Sequence, residues 1–551
     1  MKIERKISYI PILSYIAIPI LLFLFGWTKW YLAVPCAGIW LFCMWQMYRD
    51  IRKADEPPLK IHPAVLLICL LLTAAVGYYV GWGRWTWQPW IDWEKHNAVL
   101  EDLVNHSWPV YYYNDGEHSM LTYYIAQYLV PAVMGKLFHS FRVAEVTLYV
   151  WNVIGLFLVW LEMVRSLKVK GYIRQILCLV LIVFFSLPFR ICSGVTDIFT
   201  DVPVYDINWY ILNRDTGIIL QYTSNYSMLL WVFPQAIVPW LTTLLFIENR
   251  EKICYYIPLM MPMILYATLA FAGIVVLAVG YAVYVLVRDR NFKKWILQIF
   301  SGENLLTLAT LSLMLLMYLY GNITLEKPAT SGFALIHYGE QWYIYFIFIG
   351  TMVFPYALCL FRQYRKDVLY WMSVVILAGL PLIRMGFNND LMMRGSIPAT
   401  FILMYDIADF LNQKIVTKVP ESAPDTAKKI PFSERIRSFH IDVSASATAI
   451  VLVGLLFVSG QISRNQLFDS IDKDDPKALA DLSTWGSAEN YANRSIQGVE
   501  EDRLYNYYTY DIEENFFYRF VARVQDVPRD IPANDEPENE TDPEMVAGHN
   551  F

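Results

Sequence analysis

Long apolar stretches dominate the chain and alternate with short polar segments. Many of these stretches have about 17 to 21 residues, the length that an α-helix needs to cross a bilayer. Fourteen candidate segments have the approximate bounds 8–25, 30–48, 63–83, 119–138, 144–164, 172–190, 226–247, 253–269, 272–287, 303–320, 341–361, 368–385, 395–412 and 446–462. The pattern predicts an all-α polytopic membrane protein.

The distribution of lysine and arginine predicts the topology, because loops rich in these residues remain on the cytoplasmic side. Basic segments lie at 2–6, 49–60, 165–174, 250–252, 288–294, 362–366 and 414–437. The basic segments 49–60 and 165–174 flank three apolar candidates. Two cytoplasmic loops must be separated by an even number of crossings, so one of the three candidates does not cross. The weakest candidate is 119–138, which Gln127, Pro131 and Lys136 interrupt. We predict that it is a juxtamembrane or re-entrant helix, which leaves about thirteen transmembrane helices, a cytoplasmic N-terminus and an extracytoplasmic C-terminus.

The composition agrees with a membrane protein and excludes several other classes. Hydrophobic residues make up 56% of the chain and charged residues 17%, whereas a soluble domain carries about 25% charged residues. The net charge of -6 argues against nucleic-acid binding. From Ser463 onward the chain has 8 Lys/Arg and 20 Asp/Glu, and the part before it has 36 and 30. An acidic tail therefore follows a basic membrane body.

These patterns divide the chain into six parts. They are an N-terminal transmembrane hairpin (1–62), a transmembrane body (63–412) with a large outer loop at 84–143, a basic cytoplasmic linker (413–445), a last transmembrane helix (446–462), an extracytoplasmic extension (463–525) and an acidic tail (526–551). The tail is rich in Pro, Glu, Asp and Asn, so we expect it to be disordered. The seven cysteines lie in or beside apolar segments without a C-x-x-C pair, so they predict neither disulfides nor a metal site.

The first chemically rich stretch follows the third apolar segment. Asp92 and Glu94 lie a few residues beyond its predicted outer end, with Lys95 and His96 in the next turn. Two carboxylates beside a cation and an imidazole could hold a divalent ion or provide a general base. The same residues are also typical of an interfacial aromatic belt with its usual charges.

A second polar stretch, 384–398, and the outer loop 191–225 provide further candidates. Arg384 and Arg394 could bind an anionic group, and Asp390 is placed one helical turn before Arg394. The alternative is that Asp390 caps a helix while Arg394 extends to the membrane interface. Asp197 and Asp201 lie among aromatic residues in the loop 191–225, where solvated surface is the simpler interpretation.

Residues 63–190 resemble the GT-C superfamily of membrane glycosyltransferases, in particular its protein-mannosyltransferase-like and aminoarabinose-transferase-like branch. The resemblance rests on an outward-leading span, the acidic motif Asp92-Trp93-Glu94, an amphipathic helix at 96–105, the sequence Leu121-Thr122-Tyr123-Tyr124 and a turn with an arginine at 135–142. The chain departs from the family pattern in two extra N-terminal spans and in lacking a proline pair before Tyr123.

The resemblance implies a GT-C-like fold with juxtamembrane helices in the first outer loop, in the plasma (inner) membrane. It also implies a polyprenyl-phosphate sugar donor and a protein, lipid or glycan acceptor on the extracytoplasmic face. Asp92 and Glu94 would be catalytic, and they would bind Mg or Mn if the enzyme is metal-dependent. The expected substrate-binding residues are Lys95, His96, Arg384, Asp390, Arg394, Asp197 and Asp201.

Two other functions remain open from the sequence. A polymerase or ligase of lipid-linked polysaccharide would use the same class of donor, but it would not need an acidic motif directly after an early span. A polytopic transporter or flippase should carry charged residues in the middle of its spans, and the apolar segments here are nearly free of them.

Overall fold

The computed structural model describes residues 2–53, 58–86, 88, 90–114, 117–189, 191–192, 195, 204–205, 210–213, 218–323, 332–386, 389–414, 416–417, 441–442, 447–472, 508–509 and 515–523. The first half of the described chain contains helices α1 (Arg5–Trp27), α2 (Trp30–Arg52), α3 (Pro63–Tyr79), α4 (Trp90–Asn105), α5 (Ala126–Phe138), α6 (Phe141–Ser166), α7 (Tyr172–Phe184), α8 (Asn225–Trp231), α9 (Ile237–Asn249), α10 (Tyr256–Met260) and α11 (Met263–Tyr266).

The second half of the described chain continues with the helices α12 (Thr268–Asp289), α13 (Phe292–Ile299), α14 (Gly302–Thr307), α15 (Leu313–Ile323), α16 (Trp342–Met352), α17 (Phe354–Tyr364), α18 (Val368–Gly379), α19 (Asp390–Gly395), α20 (Ile397–Lys414), α21 (Ala447–Ser459) and α22 (Gln461–Asp472). A π-helical turn at Leu308–Ser312 joins α14 to α15, and a 3₁₀ turn, Phe233–Gln235, separates α8 from α9.

Short strands add five small antiparallel sheets among the described residues. The pairs are β1 (Lys2–Ile3) with β2 (Leu59–Lys60), β8 (Ala334–Leu335) with β9 (Ile383–Arg384), and β10 (Val416–Thr417) with β11 (Ile441–Asp442). The three-stranded sheets are β12-β4-β3, from β3 (Tyr111–Asn114), β4 (Glu117–Leu121) and β12 (Tyr508–Thr509), and β5-β6-β7, from β5 (Val204–Tyr205), β6 (Tyr210–Asn213) and β7 (Ile218–Gln221).

The helices confirm an all-α membrane protein with several spans. Six helices of the described chain are long and apolar enough to cross a membrane, at Ser8–Trp27, Trp30–Arg52, Phe141–Ser166, Thr268–Asp289, Phe292–Tyr320 and Ala447–Asp472. A seventh crossing is possible if Trp342–Met352 and Phe354–Tyr364, bent by 52°, form one span. By this criterion the described chain does not reach the thirteen spans expected from the sequence.

Prolines account for part of this difference. The apolar segment 226–247 breaks at Phe233–Gln235, where Pro234 lies, and the segment 253–269 is divided into short helices around Pro258 and Pro262. Proline has no N–H group and its ring clashes with the preceding turn, so an apolar run that contains it can form two helices.

The segment 119–138 is also not helical throughout. Its first residues belong to β4, which pairs with β3 and with β12, and the helix begins only at Ala126. Aromatic residues at 111–113 favour such a strand pair. The remaining α5 is a 13-residue helix, about 20 Å long, which is shorter than the bilayer core.

Helix α5 packs in the middle of the helix bundle. Gln127 donates a hydrogen bond to the hydroxyl of Tyr15 at 2.9 Å and contacts Asn152. These partners belong to the central parts of α1 and α6. Eight residues later, Gly135 is close to Ala144 at the beginning of α6. Helix α5 therefore runs antiparallel to α6 beside its first half.

One end of the bundle carries a buried group of charged residues. Arg5 Nε lies 3.3 Å from Glu248 Oε2, which accepts a hydrogen bond from the Tyr9 hydroxyl at 2.6 Å. Arg165 pairs with Glu162 at 2.6 Å and also contacts Glu248. The first turn of α1 and the last turns of α6 and α9 therefore meet at this end.

The C-terminal segment packs at the opposite end. Lys29 N donates to Val521 O at 3.0 Å, and Arg523 N donates to Trp27 O at 2.8 Å. Phe517 is fully buried between the rings of Phe23 and Tyr318. The segment 515–523 therefore covers the turn between α1 and α2, at the same end as β3 and β4.

Candidate functional site

The residues between α3 and α4 fix the beginning of α4. The Gln88 amide donates to Gly81 O at 2.6 Å and accepts from the Asn97 amide at 2.9 Å. Residue 81 has φ of 78°, a conformation that glycine adopts without strain. These bonds hold α4, which carries the predicted acidic motif, against the end of α3.

Three side chains attach this region to the C-terminus of α8. The indole N–H groups of Trp82 and Trp93 donate to Leu229 O at 3.1 Å and Leu230 O at 2.7 Å. His96 Nε2 donates to Trp231 O at 2.9 Å. The last carbonyls of a helix have no partner within the helix, so the break after α8 provides three acceptors in succession.

His96 connects α4 with α5. Its Nε2 atom must carry a proton because a carbonyl oxygen only accepts, and its Nδ1 atom therefore accepts from the Tyr128 hydroxyl at 2.6 Å. The side chain is 4% exposed, and this burial lowers its pKa, while the charge of Asp92 acts in the opposite direction. The imidazole is therefore neutral at pH 7, and protein groups occupy both of its nitrogens.

Asp92 lies in the first turn of α4 and is half-buried. Its carboxylate acts electrostatically on His96, Tyr124 and Tyr128. Lys95 is also half-buried, and its charge lowers the pKa of His96 further. The side chain of Glu94 lies outside the described residues, although its backbone belongs to α4.

The second predicted stretch is described at residues 384–386 and from residue 389 onward. Arg394 Nη1 lies 3.2 Å from Asp390 Oδ1. The Asn389 amide donates to Ile219 O at 3.0 Å, which attaches the beginning of α19 to β7. Gly386 has φ of 88°, and a Cβ atom there would clash with the side chain of Asp390, so the position requires glycine. Arg384 lies in β9, opposite Ala334.

The two stretches converge on Tyr124. Burial raises the pKa of this phenol, Arg394 opposes that rise, and Asp390 and Asp92 add to it. The charge of Arg394 also lowers the pKa of His96. The carboxylate of Asp92 and the guanidinium of Arg394 therefore act on the same two side chains, although they are far apart in the sequence.

Two residues of this cluster were not singled out as site residues. The Tyr124 hydroxyl accepts a hydrogen bond from Tyr123, and the amide of Gln235 faces it. Tyr124 belongs to the Tyr-Tyr pair that supported the family resemblance. Gln235 is 1% exposed, and a polar residue within an apolar segment was a signal that could have identified it.

The remaining predicted residues lie elsewhere or outside the described part of the chain. Asp197 and Asp201 are both outside it. Among the residues that the structure describes, no group of three or more His, Cys, Asp or Glu side chains lies close enough to hold a metal ion. Asp92 with Glu94 stays a prediction as a metal site, because the carboxylate of Glu94 is not described.

The chain was compared with models of protein families, with curated proteins and with solved structures, and none of them matches it.

Proposed function

We propose that this protein is a membrane glycosyltransferase of the GT-C type, which transfers a sugar from a polyprenyl-phosphate donor to an acceptor at the extracytoplasmic face. The observation that carries the proposal is the convergence of Asp92 and Arg394 on Tyr124 and His96. A carboxylate and a guanidinium that act on the same two side chains would provide a proton acceptor and a phosphate-binding group for one substrate.

In the proposed reaction, the acceptor hydroxyl attacks the anomeric carbon of the sugar and transfers its proton to Asp92. The bond between the anomeric carbon and the phosphate oxygen breaks, and the lipid phosphate leaves with both electrons of that bond. Arg394 would stabilise the charge on the leaving phosphate, with Asp390 orienting the guanidinium at 3.2 Å. His96 would position α4 through its contacts with Trp231 and Tyr128.

The proposal includes thirteen crossings, several of them short or broken. Besides the seven candidates described above, we assign crossings to 63–79, 172–184, 225–249, 253–266, 368–382 and 397–414. Helix α5 would be a re-entrant helix beside α6 that returns to the extracytoplasmic side. This arrangement would place Asp92 at the outer surface, where a lipid carries sugars that are made in the cytoplasm.

The decisive experiment is a transfer assay with the variant Asp92→Asn and membrane-extracted polyprenyl-linked sugars. Asparagine keeps the shape of aspartate but cannot accept the proton, so we expect turnover to fall by about 10²–10⁴-fold. Donor binding should be retained, because in this proposal Arg394, and not Asp92, binds the lipid phosphate.

Asp469→Asn is the matched control, because Asp469 is an exposed carboxylate on α22. We expect this variant to keep full activity. Full activity in a folded Asp92→Asn protein would refute the mechanism, and absence of transfer by the wild type with every polyprenyl-linked donor would refute the function.

A further inference from the structure

The described helices line an open cavity of about 350 Å³ at the end of the bundle that carries Arg165 and Glu248. It is formed by the C-terminal ends of α6, α9 and α17, the beginning of α18 and the inward face of α20. The Ser166 and Tyr405 hydroxyls are hydrogen-bonded at 2.7 Å across its wall. The cavity lies at the opposite end of α6 from Glu145, so it is separate from the Asp92 cluster.

Three carboxylates line the cavity, and two of them have clear partners. Asp409 Oδ2 accepts from the Tyr364 hydroxyl at 2.7 Å and from Gln413 at 2.8 Å. Asp367 caps α18 by accepting from Leu369 N at 2.9 Å. Both carboxylates are therefore held in place by neighbouring groups.

The third carboxylate belongs to Asp406, one helical turn before Asp409. Asp406 is 7% exposed, and among the described residues its Oδ2 atom has no hydrogen-bond partner. A buried carboxylate costs several kcal/mol unless a compensating charge or hydrogen bonds stabilise it. Asp406 therefore gives the cavity a buried carboxyl group whose charged form a bound cation would stabilise.

The cations of the cavity lie towards its rim. Lys168 is exposed, and Arg250 is half-buried with its Nη2 atom 4.0 Å from Asp367. The described lining thus has three carboxyl groups and two cationic side chains. Arg250 pairs with Asp367 and Lys168 is exposed, which leaves Asp406 and Asp409 as the two carboxyl groups available to a bound cation.

We infer that this cavity binds a small organic cation with a primary ammonium group, and that Asp406 is its counter-ion. An ammonium group has three donors, which can serve Asp406 and Asp409 together. A cavity of about 350 Å³ is larger than a single ion requires. Among the described residues no cluster suits a metal ion. Tyr364, Tyr405 and Leu369 also line the space and suit the methylene groups of an aliphatic amine.

The test uses the full chain purified in detergent, with putrescine as the cation and 1,4-butanediol as its uncharged analogue. Isothermal titration at constant ionic strength should show saturable binding of putrescine, and putrescine should raise the melting temperature. Butanediol should do neither. Equal effects of the two compounds, or of sodium chloride at matched ionic strength, would overturn the inference.

Variants locate the binding site. Asp406→Asn keeps the shape of the side chain and removes its charge, so the dissociation constant of putrescine should rise by about ten- to a hundredfold. Asp409→Asn should cause a smaller rise and serves as a second variant. Asp50→Asn is the control, since Asp50 lies at the same end of the bundle and binds Tyr255 at 2.5 Å outside the cavity. Unchanged affinity in Asp406→Asn and Asp409→Asn would refute the site.

Discussion

Arg84 Nη1 lies 3.2 Å from Glu145 Oε1, and both side chains are almost completely buried. Arg142 Nη1 approaches the other carboxylate oxygen at 3.0 Å and also donates to Gly83 O at 2.9 Å. The carboxylate of Glu145 therefore joins the turn after α3 to the first turn of α6. Arg84 belongs to the segment that leads from α3 to Asp92 in α4.

Removing one partner of this buried pair should be costly. Glu145→Gln leaves the charge of Arg84 buried, so we expect a loss of about 3–5 kcal/mol in unfolding free energy. Glu251→Gln is the matched control, because Glu251 pairs with Arg288 at the surface at 3.0 Å. That change should cost at most about 1 kcal/mol. Denaturant titration in detergent measures both variants, and equal losses would contradict the buried role of Glu145.

The lowered pKa of His96 predicts how stability changes with pH. The unfolded imidazole binds a proton below about pH 6.5, whereas the folded one stays neutral to lower pH. The unfolded state therefore binds more protons, so stability should fall as the pH decreases below about 6.5, by at most about 1.4 kcal/mol per pH unit. His96→Gln should flatten this slope, while His337→Gln, at an exposed site, should preserve it. Melting curves between pH 5 and 8 test the prediction, which an unchanged slope in His96→Gln would exclude.

Adjacent phenylalanines test the packing of the C-terminal segment. Phe517 is fully buried, and Phe516 is 51% exposed. Phe517→Ala should therefore cost about 3–5 kcal/mol, and Phe516→Ala should change stability by about 0.5 kcal/mol or less. Thermal unfolding of the two variants provides the comparison. Similar small effects would mean that the segment does not pack against α1 and α15 in solution.

The role proposed for Arg394 predicts a change in donor kinetics. A charge-assisted contact with phosphate contributes about 1.5–3 kcal/mol, so Arg394→Ala should weaken donor binding by about ten- to a hundredfold. The substrate carries the phosphate before the reaction as well, so most of the loss should appear in KM. Arg290→Ala, at an exposed site, should behave like the wild type. Unchanged donor kinetics in Arg394→Ala would leave Arg394 as a purely interfacial residue.

The topology can be tested with single cysteines at exposed positions at the two ends of the bundle. We expect a membrane-impermeant maleimide to label Phe520→Cys in intact cells. Lys170→Cys should react only after permeabilisation, because it lies in a basic loop. The wild type is the background control, since its cysteines are buried or half-buried. Labelling of Lys170→Cys in intact cells would reverse the orientation and remove the basis of the proposed reaction.

The sequence predicted the class of fold because the apolar runs are long and the charges lie between them. It also singled out Asp92 and Arg394, whose charges both act on His96 and Tyr124, and their roles in a reaction stay a prediction. It did not predict that 117–121 would form a strand, because the pairing partner of β4 at 508–509 is distant in the sequence. Contacts of this kind depend on the packing of the whole chain and leave no local periodicity.

The break between α8 and α9 shows a second limit of the pattern. Residues 226–247 are predominantly apolar, so hydropathy alone predicts one helix. Pro234 is a residue that can break a helix, but no local feature of the sequence shows that Trp82, Trp93 and His96 bind the freed carbonyls. The partners of Gln235 and Tyr124 could not be predicted for the same reason.

The donor residues and the acceptor residues of the three hydrogen bonds at the end of α8 should differ in their tolerance to mutation. Their acceptors are main-chain oxygens of residues 229–231, which almost any amino acid would supply in the same place. Their donors are the ring nitrogens of Trp82, Trp93 and His96, which few other side chains can replace. In a library of random variants, residues 229–231 should therefore accept many apolar substitutions, whereas the three donor positions should accept almost none.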